Sequence, residues 1–213
     1  MFADRKAAGR ALAAALTAYK DDDSVVLALP RGGVPVGYEI ARALGAPLDV
    51  IVVRKLGAPD EPELGLGAVV DGDHPESVLN EEVVAALKIS PEYLDHEIRI
   101  QLLEIHRRQQ IYRKGRAAPR LLGRTAIVVD DGIATGGTIR AALRDVRRAG
   151  PAKLILAAPV APSETVQSLR AEADDVVCLE TPTDFEAIGQ FYADFRQVSD
   201  DQVVRLLEQA NTP

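Results

Sequence analysis

Ile127-Val-Val-Asp-Asp-Gly-Ile-Ala-Thr-Gly-Gly-Thr138 is the stretch from which the fold of this chain is read. The apolar run Thr125 to Val129 ends in two adjacent carboxylates, Asp130 and Asp131. A loop of small residues, Gly132 to Gly137, follows at once, and Thr138 opens an amphipathic stretch with Ile139, Leu143 and Val146 at helical spacing. Glycines let backbone N–H groups converge on an anion, and a helix N-terminus adds partial positive charge. Carboxylates repel phosphate, so Asp130 and Asp131 should face hydroxyls or a divalent cation. A ligand with a phosphate at one end and a diol at the other suits both halves. An ordinary strand-loop-helix crossover also places Asp before a helix. Two aspartates directly ahead of Gly-Ile-Ala-Thr-Gly-Gly-Thr are more specific than a lone Gly-Gly-Thr.

The 213 residues, 47% hydrophobic and 27% charged, suit one ordinary domain, residues 1–213, with a substantial core. A net charge of −7 argues against broad nucleic-acid or membrane-surface binding. Apolar stretches such as Leu154 to Val160 are too short to span a bilayer. The opening Met-Phe-Ala-Asp-Arg-Lys lacks the long apolar core of a signal peptide. One cysteine, Cys178, excludes an internal disulfide and fits a reducing compartment, so a cytoplasmic location is expected. It lies in Asp-Val-Val-Cys-Leu and reads as a small strand residue, not a nucleophile. His74, His96 and His106 show no metal-ligand spacing.

Outward from the central stretch, the chain alternates strands and helices. Helices are expected over Asp4–Tyr19, Val34–Leu44, Ser163–Ala173 and Asp200–Gln209, and strands over Val25–Leu29, Leu48–Val53, Leu154–Ala158 and Asp175–Leu179. Leu66–Val70 and Ser77–Leu79 could form a hairpin around Asp71-Gly-Asp73. Glu81–Leu87 and Pro91–Gly115 read as a helical insertion, about 81–116, with Leu94, Ile98, Leu102, Ile105 and Tyr112 on one face. Such alternation implies an α/β fold with a parallel sheet covered on both faces, and ligands bind beyond the carboxyl ends of its strands. Pro30, Arg54, Asp130 and Pro159 all fall at expected strand ends.

Three further segments could complete a site there. Pro30-Arg-Gly-Gly33 offers an arginine for phosphate oxygens and glycines for close backbone approach, though a simple turn has the same composition. Arg54-Lys55 precedes a Gly/Pro-rich segment that suggests a flexible loop, about 55–67, able to close as a lid; a basic pair alone equally suits a solvated turn. Residues 181–195 hold three of the four phenylalanines, and Phe185, Phe191 or Tyr192 could stack on a planar molecule or simply fill a core.

The segment 127–138 is similar to the ribose-phosphate signature of the type I phosphoribosyltransferases, which use 5-phosphoribosyl 1-pyrophosphate (PRPP) with Mg²⁺. The resemblance implies that Asp130 and Asp131 bind the ribose hydroxyls near the metal, and that Ala134, Thr135, Gly136, Gly137 and Thr138 wrap the 5′-phosphate. Pro30-Arg-Gly-Gly33 resembles the family's pyrophosphate loop, in which a peptide is sometimes cis; Arg31, Gly32 and Gly33 would then hold pyrophosphate. Arg54 and Lys55 resemble the basic pair at the pyrophosphate and catalytic loops of the adenine and orotate enzymes, which gives Lys55 a catalytic role beside Asp130 and Asp131. The 181–195 segment resembles a C-terminal hood, about 180–199, with Phe185, Phe191 and Tyr192 at the acceptor. The architecture implied is a type I phosphoribosyltransferase-like parallel-sheet core with helices on both faces, a helical insertion and a small hood.

The chain departs from the 6-oxopurine branch, which carries an acidic residue where Ala134 stands and a lysine near Ala157-Ala-Pro-Val160. Arg54-Lys-Leu-Gly-Ala-Pro59, Val78-Leu-Asn80 and Phe191-Tyr-x-Asp-Phe-x-Gln-Val198 resemble a bacterial phosphoribosyltransferase family of unassigned acceptor. The resemblance implies Mg²⁺-dependent transfer of phosphoribose from PRPP to a nitrogen acceptor, a nucleobase among the candidates, as part of nucleotide metabolism. The alternative is a PRPP-binding regulator without turnover. The partners expected are PRPP and a small-molecule acceptor, with no nucleic acid and no membrane, and a homodimer is allowed.

Overall fold

The computed structural model of the chain describes every residue except Asp21, Asp60, Pro62, Glu63, 71–75 and Pro213, and the side chain of Glu76. Five strands, β1 (Ser24–Ala28), β2 (Leu48–Val50), β6 (Thr125–Val129), β7 (Lys153–Val160) and β8 (Asp175–Glu180), form a parallel sheet in the order β2-β1-β6-β7-β8. Successive residues of the inner strands point to opposite faces, and both faces are covered. Val26, Ala28, Ile127, Val129, Ile155 and Ala157 face one layer, built on α1 (Arg5–Ala15), α2 (Gly33–Leu44) and α7 (Asp200–Ala210). Val25, Leu27, Ala126, Val128, Leu154 and Leu156 face the other, built on α5 (Gly137–Arg148) and α6 (Ser163–Leu169). Apart from Ser24, Thr125 and Lys153 at their first positions, the inner strands β1, β6 and β7 carry only apolar side chains, so their runs read as continuously apolar.

A second, three-stranded antiparallel sheet comprises β3 (Val53–Gly57), β4 (Gly65–Val70) and β5 (Glu76–Leu79). It lies between α5 and the insertion, α3 (Glu81–Ala86) and α4 (Pro91–Arg113). A register shift between Leu56 and Gly57 turns Leu66 towards the first layer, while Ala68 and Val70 face the second. The β4–β5 pairing agrees with the expected hairpin, whose turn lies outside the described residues. The segment expected as a flexible loop overlaps β3 and β4 at its ends; Asp60, Pro62 and Glu63 at its centre lie outside the described residues.

Element boundaries differ from expectation where tertiary contacts decide them. The expected strand 48–53 stops at Val50, where the Arg113 guanidinium holds Asp49 at 2.9 Å and donates to the Val50 carbonyl at 3.3 Å. The chain then joins the second sheet at Val53. Helix α6 stops at Leu169 instead of Ala173, because Asp174 is drawn to the Leu154 backbone N–H (2.7 Å) and to Arg147 (2.8 Å). In the insertion, Ile105 and Tyr112 are buried in the first layer, and the Tyr112 hydroxyl donates to Asp200 at 2.6 Å. Burial, then this hydrogen bond, push the Tyr112 hydroxyl up to about 12. No helix among the described residues is long and apolar enough to cross a membrane.

Candidate active site

The carboxyl ends of β1 and β6 lie side by side, joined by the Leu29 N–H donating to the Val129 carbonyl at 2.9 Å. After β1 comes the Pro30–Arg31 peptide, which is cis, then Gly32 and Gly33, which start α2. After β6 come Asp130 and Asp131. The two loops pack without intervening side chains: a Cβ at Gly32 would overlap the Asp131 carboxylate, and one at Gly33 would sit 2.7 Å from the Val129 carbonyl oxygen. The glycines expected to hold a ligand thus also allow the loops to meet.

The two aspartates differ. Asp131 is buried, and its Oδ2 lies 2.6 Å from Nε of Arg5, the first residue of α1. Its backbone carbonyl accepts a hydrogen bond from the Tyr192 hydroxyl at 2.6 Å. Asp130 is half-buried; its Oδ1 accepts from the Asp131 N–H at 2.8 Å. Burial, and then the charge of Asp131, push the Asp130 carboxyl well above the usual carboxylate range. One aspartate is neutralised internally, and the other carries the disfavoured charge of the site.

The small-residue loop leads from this pair into α5. Thr165 Oγ1 donates to the Ala134 carbonyl at 2.8 Å and anchors the loop to α6. Gly136, at φ +79°, occupies the left-handed region that glycine tolerates and serves as the N-cap of α5. Having no side chain, it gives the helix no side-chain cap, and Ala134, Thr135 and Gly137 are exposed. Helix N–H groups without a capping side chain, at an exposed N-terminus, form an anion-binding position.

The other expected residues are distributed less simply. Arg31 is half-buried, 3.9 Å from Asp200 at the start of α7. Arg54 and Lys55 lie on β3, not in a loop after a strand, and alternation sends them to opposite faces. Arg54 Nε donates to Gln101 of α4 at 2.9 Å, while Lys55 is exposed, so the expected basic pair is split. Phe185 and Phe191 stack on each other with centroids 5.5 Å apart. Tyr192, expected at the acceptor, is 5% exposed and packs between Phe2 (5.6 Å) and Phe195 (5.0 Å). Burial, then the nearby Asp131 charge, raise its hydroxyl pKa. Its role is packing and the hydrogen bond to Asp131, because its ring is covered. Among the described residues no group of three His, Cys, Asp or Glu side chains converges for a metal, and a cavity of about 730 Å³ lined by Asp49, Arg113, Arg120 and Asp145 lies away from the acidic pair. Cys178 is half-buried on β8, and burial pushes its thiol up, which suits a packing residue.

Residues 3–196 match the model of the phosphoribosyl transferase domain. The chain belongs to the phosphoribosyl transferase family. Two curated relatives carry the name "Putative phosphoribosyl transferase", from two strains of Mycobacterium tuberculosis; each is 48% identical over 211 residues, 99% of this chain. The chain spans about half the length, 47%, of these relatives. The crystal structure of TT1426 from Thermus thermophilus is 43% identical, with a TM-score of 0.82 over 98% of each chain. Within this phosphoribosyl transferase fold, Arg5 and Phe2 were not legible as site residues. Their sequence context signals only the start of a capped helix, and their partners lie more than a hundred residues away.

Proposed function

We propose that the chain binds PRPP with Mg²⁺ and transfers its phosphoribosyl group to a nitrogen acceptor, releasing pyrophosphate. The observation that carries this reading is the N-terminus of α5, which has no side-chain cap, at the end of the same short loop that begins with the half-buried Asp130. One end suits the 5′-phosphate, held by Ala134 to Thr138; the other suits ribose hydroxyls. The C1–O bond to pyrophosphate breaks as the bond from the acceptor nitrogen forms on the opposite face. The loop at 134–138 and the acidic pair hold the ribose so that C1 stays between the two groups. Asp130 offsets positive charge that develops on the ribose ring. Arg31 and the backbone of Gly32 and Gly33 receive pyrophosphate, with Lys55 the member of the basic pair free to approach it.

Asp130 offers the hard carboxylate oxygen that Mg²⁺ prefers, and this cation commonly takes one or two carboxylates with the rest of its shell from phosphates and water. Asp131, paired with Arg5, is the weaker donor of the two. When held by Asp130, Mg²⁺ would supply positive charge against the pyrophosphate.

Calorimetry with PRPP and Mg²⁺ tests the site. Asp130→Asn should weaken binding at least about tenfold, about 1.4 kcal/mol; an unchanged affinity in the folded variant counts against it. Release of pyrophosphate with a panel of acceptors distinguishes turnover from binding alone. Hypoxanthine and guanine should be poor acceptors, because Ala134 supplies no carboxylate and Ala157 to Val160 no lysine. Each unpaired edge costs about 1–3 kcal/mol. A kcat/KM for hypoxanthine above about 10⁴ M⁻¹s⁻¹, within the ordinary enzyme range, contradicts this.

A further inference from the structure

We infer that Thr165 is a positioning residue for the 5′-phosphate: by holding the Ala134 carbonyl, its hydroxyl turns the next backbone N–H of the glycine loop towards the anion. The inference rests on the phosphoribosyl reading and deepens it by giving a side chain of α6 a task at the phosphate end of the site. Thr165 is 7% exposed, and its Oγ1 donates to the Ala134 carbonyl at 2.8 Å. Buried hydroxyls keep a hydrogen-bond partner, and this one takes its partner from the loop read as the phosphate cradle. The only cis peptide among the described residues is Pro30–Arg31, so the Ala134–Thr135 peptide is trans. In a planar trans peptide the carbonyl and the following N–H point in opposite directions. With the Ala134 oxygen drawn towards α6, the Thr135 N–H points away from it. Thr135 is exposed, and among the described residues no acceptor in the chain takes its N–H.

The surroundings keep this peptide from turning over. One position earlier, the Ile133 N–H donates to the Val160 carbonyl at 2.9 Å, so the end of β7 and the start of α6 hold the loop at two successive residues. Two positions later, a Cβ on Gly136 would lie 3.2 Å from Thr165 Cγ2 and 3.4 Å from Leu169 Cδ1. The Thr165 methyl group thus closes against the left-handed glycine that precedes α5, and both branches of the side chain serve the loop. α6 is in turn fixed to α5. Glu172, just beyond α6, accepts from Arg140 at 3.1 Å and from Arg144 at 2.9 Å, and Arg140 also donates to Ser168 Oγ at 3.3 Å. Without the hydroxyl, the Ala134 peptide is free to rotate its oxygen towards the phosphate position, where a carbonyl repels an anion. Valine keeps the shape of threonine and removes the donor; serine keeps the donor and removes the methyl group.

The test compares ribose 5-phosphate with inorganic pyrophosphate by calorimetry in wild type, Thr165→Val and Thr165→Ser, with folding checked by thermal unfolding. Thr165→Val should weaken ribose 5-phosphate about tenfold (about 1.4 kcal/mol) and leave pyrophosphate, which is assigned to the other loop, within about twofold (about 0.4 kcal/mol). Thr165→Ser should bind both ligands within about threefold of wild type (about 0.7 kcal/mol). If Thr165→Val does not fold, Thr165→Ala, which also lacks the donor, is read in its place. Wild-type affinity for ribose 5-phosphate in a folded variant without the donor overturns the assignment. So does an equal loss for both ligands, which is what general loosening of the fold produces, and so does a tenfold loss of ribose 5-phosphate affinity in Thr165→Ser. Failure of the wild-type protein to bind ribose 5-phosphate overturns the phosphoribosyl reading itself.

Discussion

Asp131→Ala is expected to destabilise the protein by about 3–5 kcal/mol, the usual cost of leaving a buried ionic partner uncompensated. The substitution removes the carboxylate paired with Arg5 at 2.6 Å and leaves its guanidinium with the Phe195 ring and the Arg196 carbonyl as contacts. Asp130→Asn, one residue away, should act in the opposite direction at neutral pH. It removes a charge that burial and Asp131 disfavour, and an amide oxygen can still accept from the Asp131 N–H. The sign follows from linkage. The folded pKa of Asp130 lies above its unfolded value, so its contribution is fully present below the unfolded pKa and is lost as pH rises through the folded pKa. The advantage of Asp130→Asn should therefore shrink as the solution is acidified. Urea unfolding at neutral pH and near pH 4 measures both effects. Equal destabilisation by the two substitutions would show that the carboxylates share one environment.

Gly32→Ala is expected to damage stability and ligand binding together. The backbone of Gly32 is in an ordinary helical conformation at φ −64°, so the cost is not conformational. A methyl group there overlaps the Asp131 carboxylate, which is itself pinned by Arg5 and cannot swing aside without breaking the 2.6 Å pair. Overpacking of this kind costs about 1–3 kcal/mol, and displacement of the loop should add a loss of pyrophosphate affinity of at least about tenfold. Denaturant midpoints and pyrophosphate calorimetry on the purified variant measure the two. A variant with wild-type values for both would mean that the two loops separate freely.

The parts legible in the sequence were those set by neighbours along the chain. The strand β6, the glycine loop and the start of α5 follow from apolar run, small residues and helical spacing within a few turns of chain. The parallel sheet followed from alternation of elements, because strands buried on both faces carry little else than apolar side chains. Strand β3 was hidden, since Arg54, Lys55 and Gly57 have little strand propensity of their own and are held by pairing with Val69, Ala68 and Gly65. The same pairing split Arg54 from Lys55, which no local reading distinguishes. Tyr192 looked like a surface for a planar ligand because aromatic residues near a site serve equally for packing. Its partners, Phe2 and the carbonyl of Asp131, become neighbours only in the folded chain. The Arg5–Asp131 pair spans 126 positions and has no local signature at all.

That separation bears on the order in which the chain can acquire its site. The strand and glycine loop at 125–137 are complete in the growing polypeptide well before Tyr192, 61 positions beyond Asp131, has been added. Until residues 192–196 dock, Arg5 lacks its aromatic platform and Asp131 lacks the hydroxyl that fixes its carbonyl. Contacts of such long sequence separation form late, since loop closure is costly before other contacts reward it. A nascent chain therefore carries the glycine loop first and gains the contacts that fix its acidic pair later.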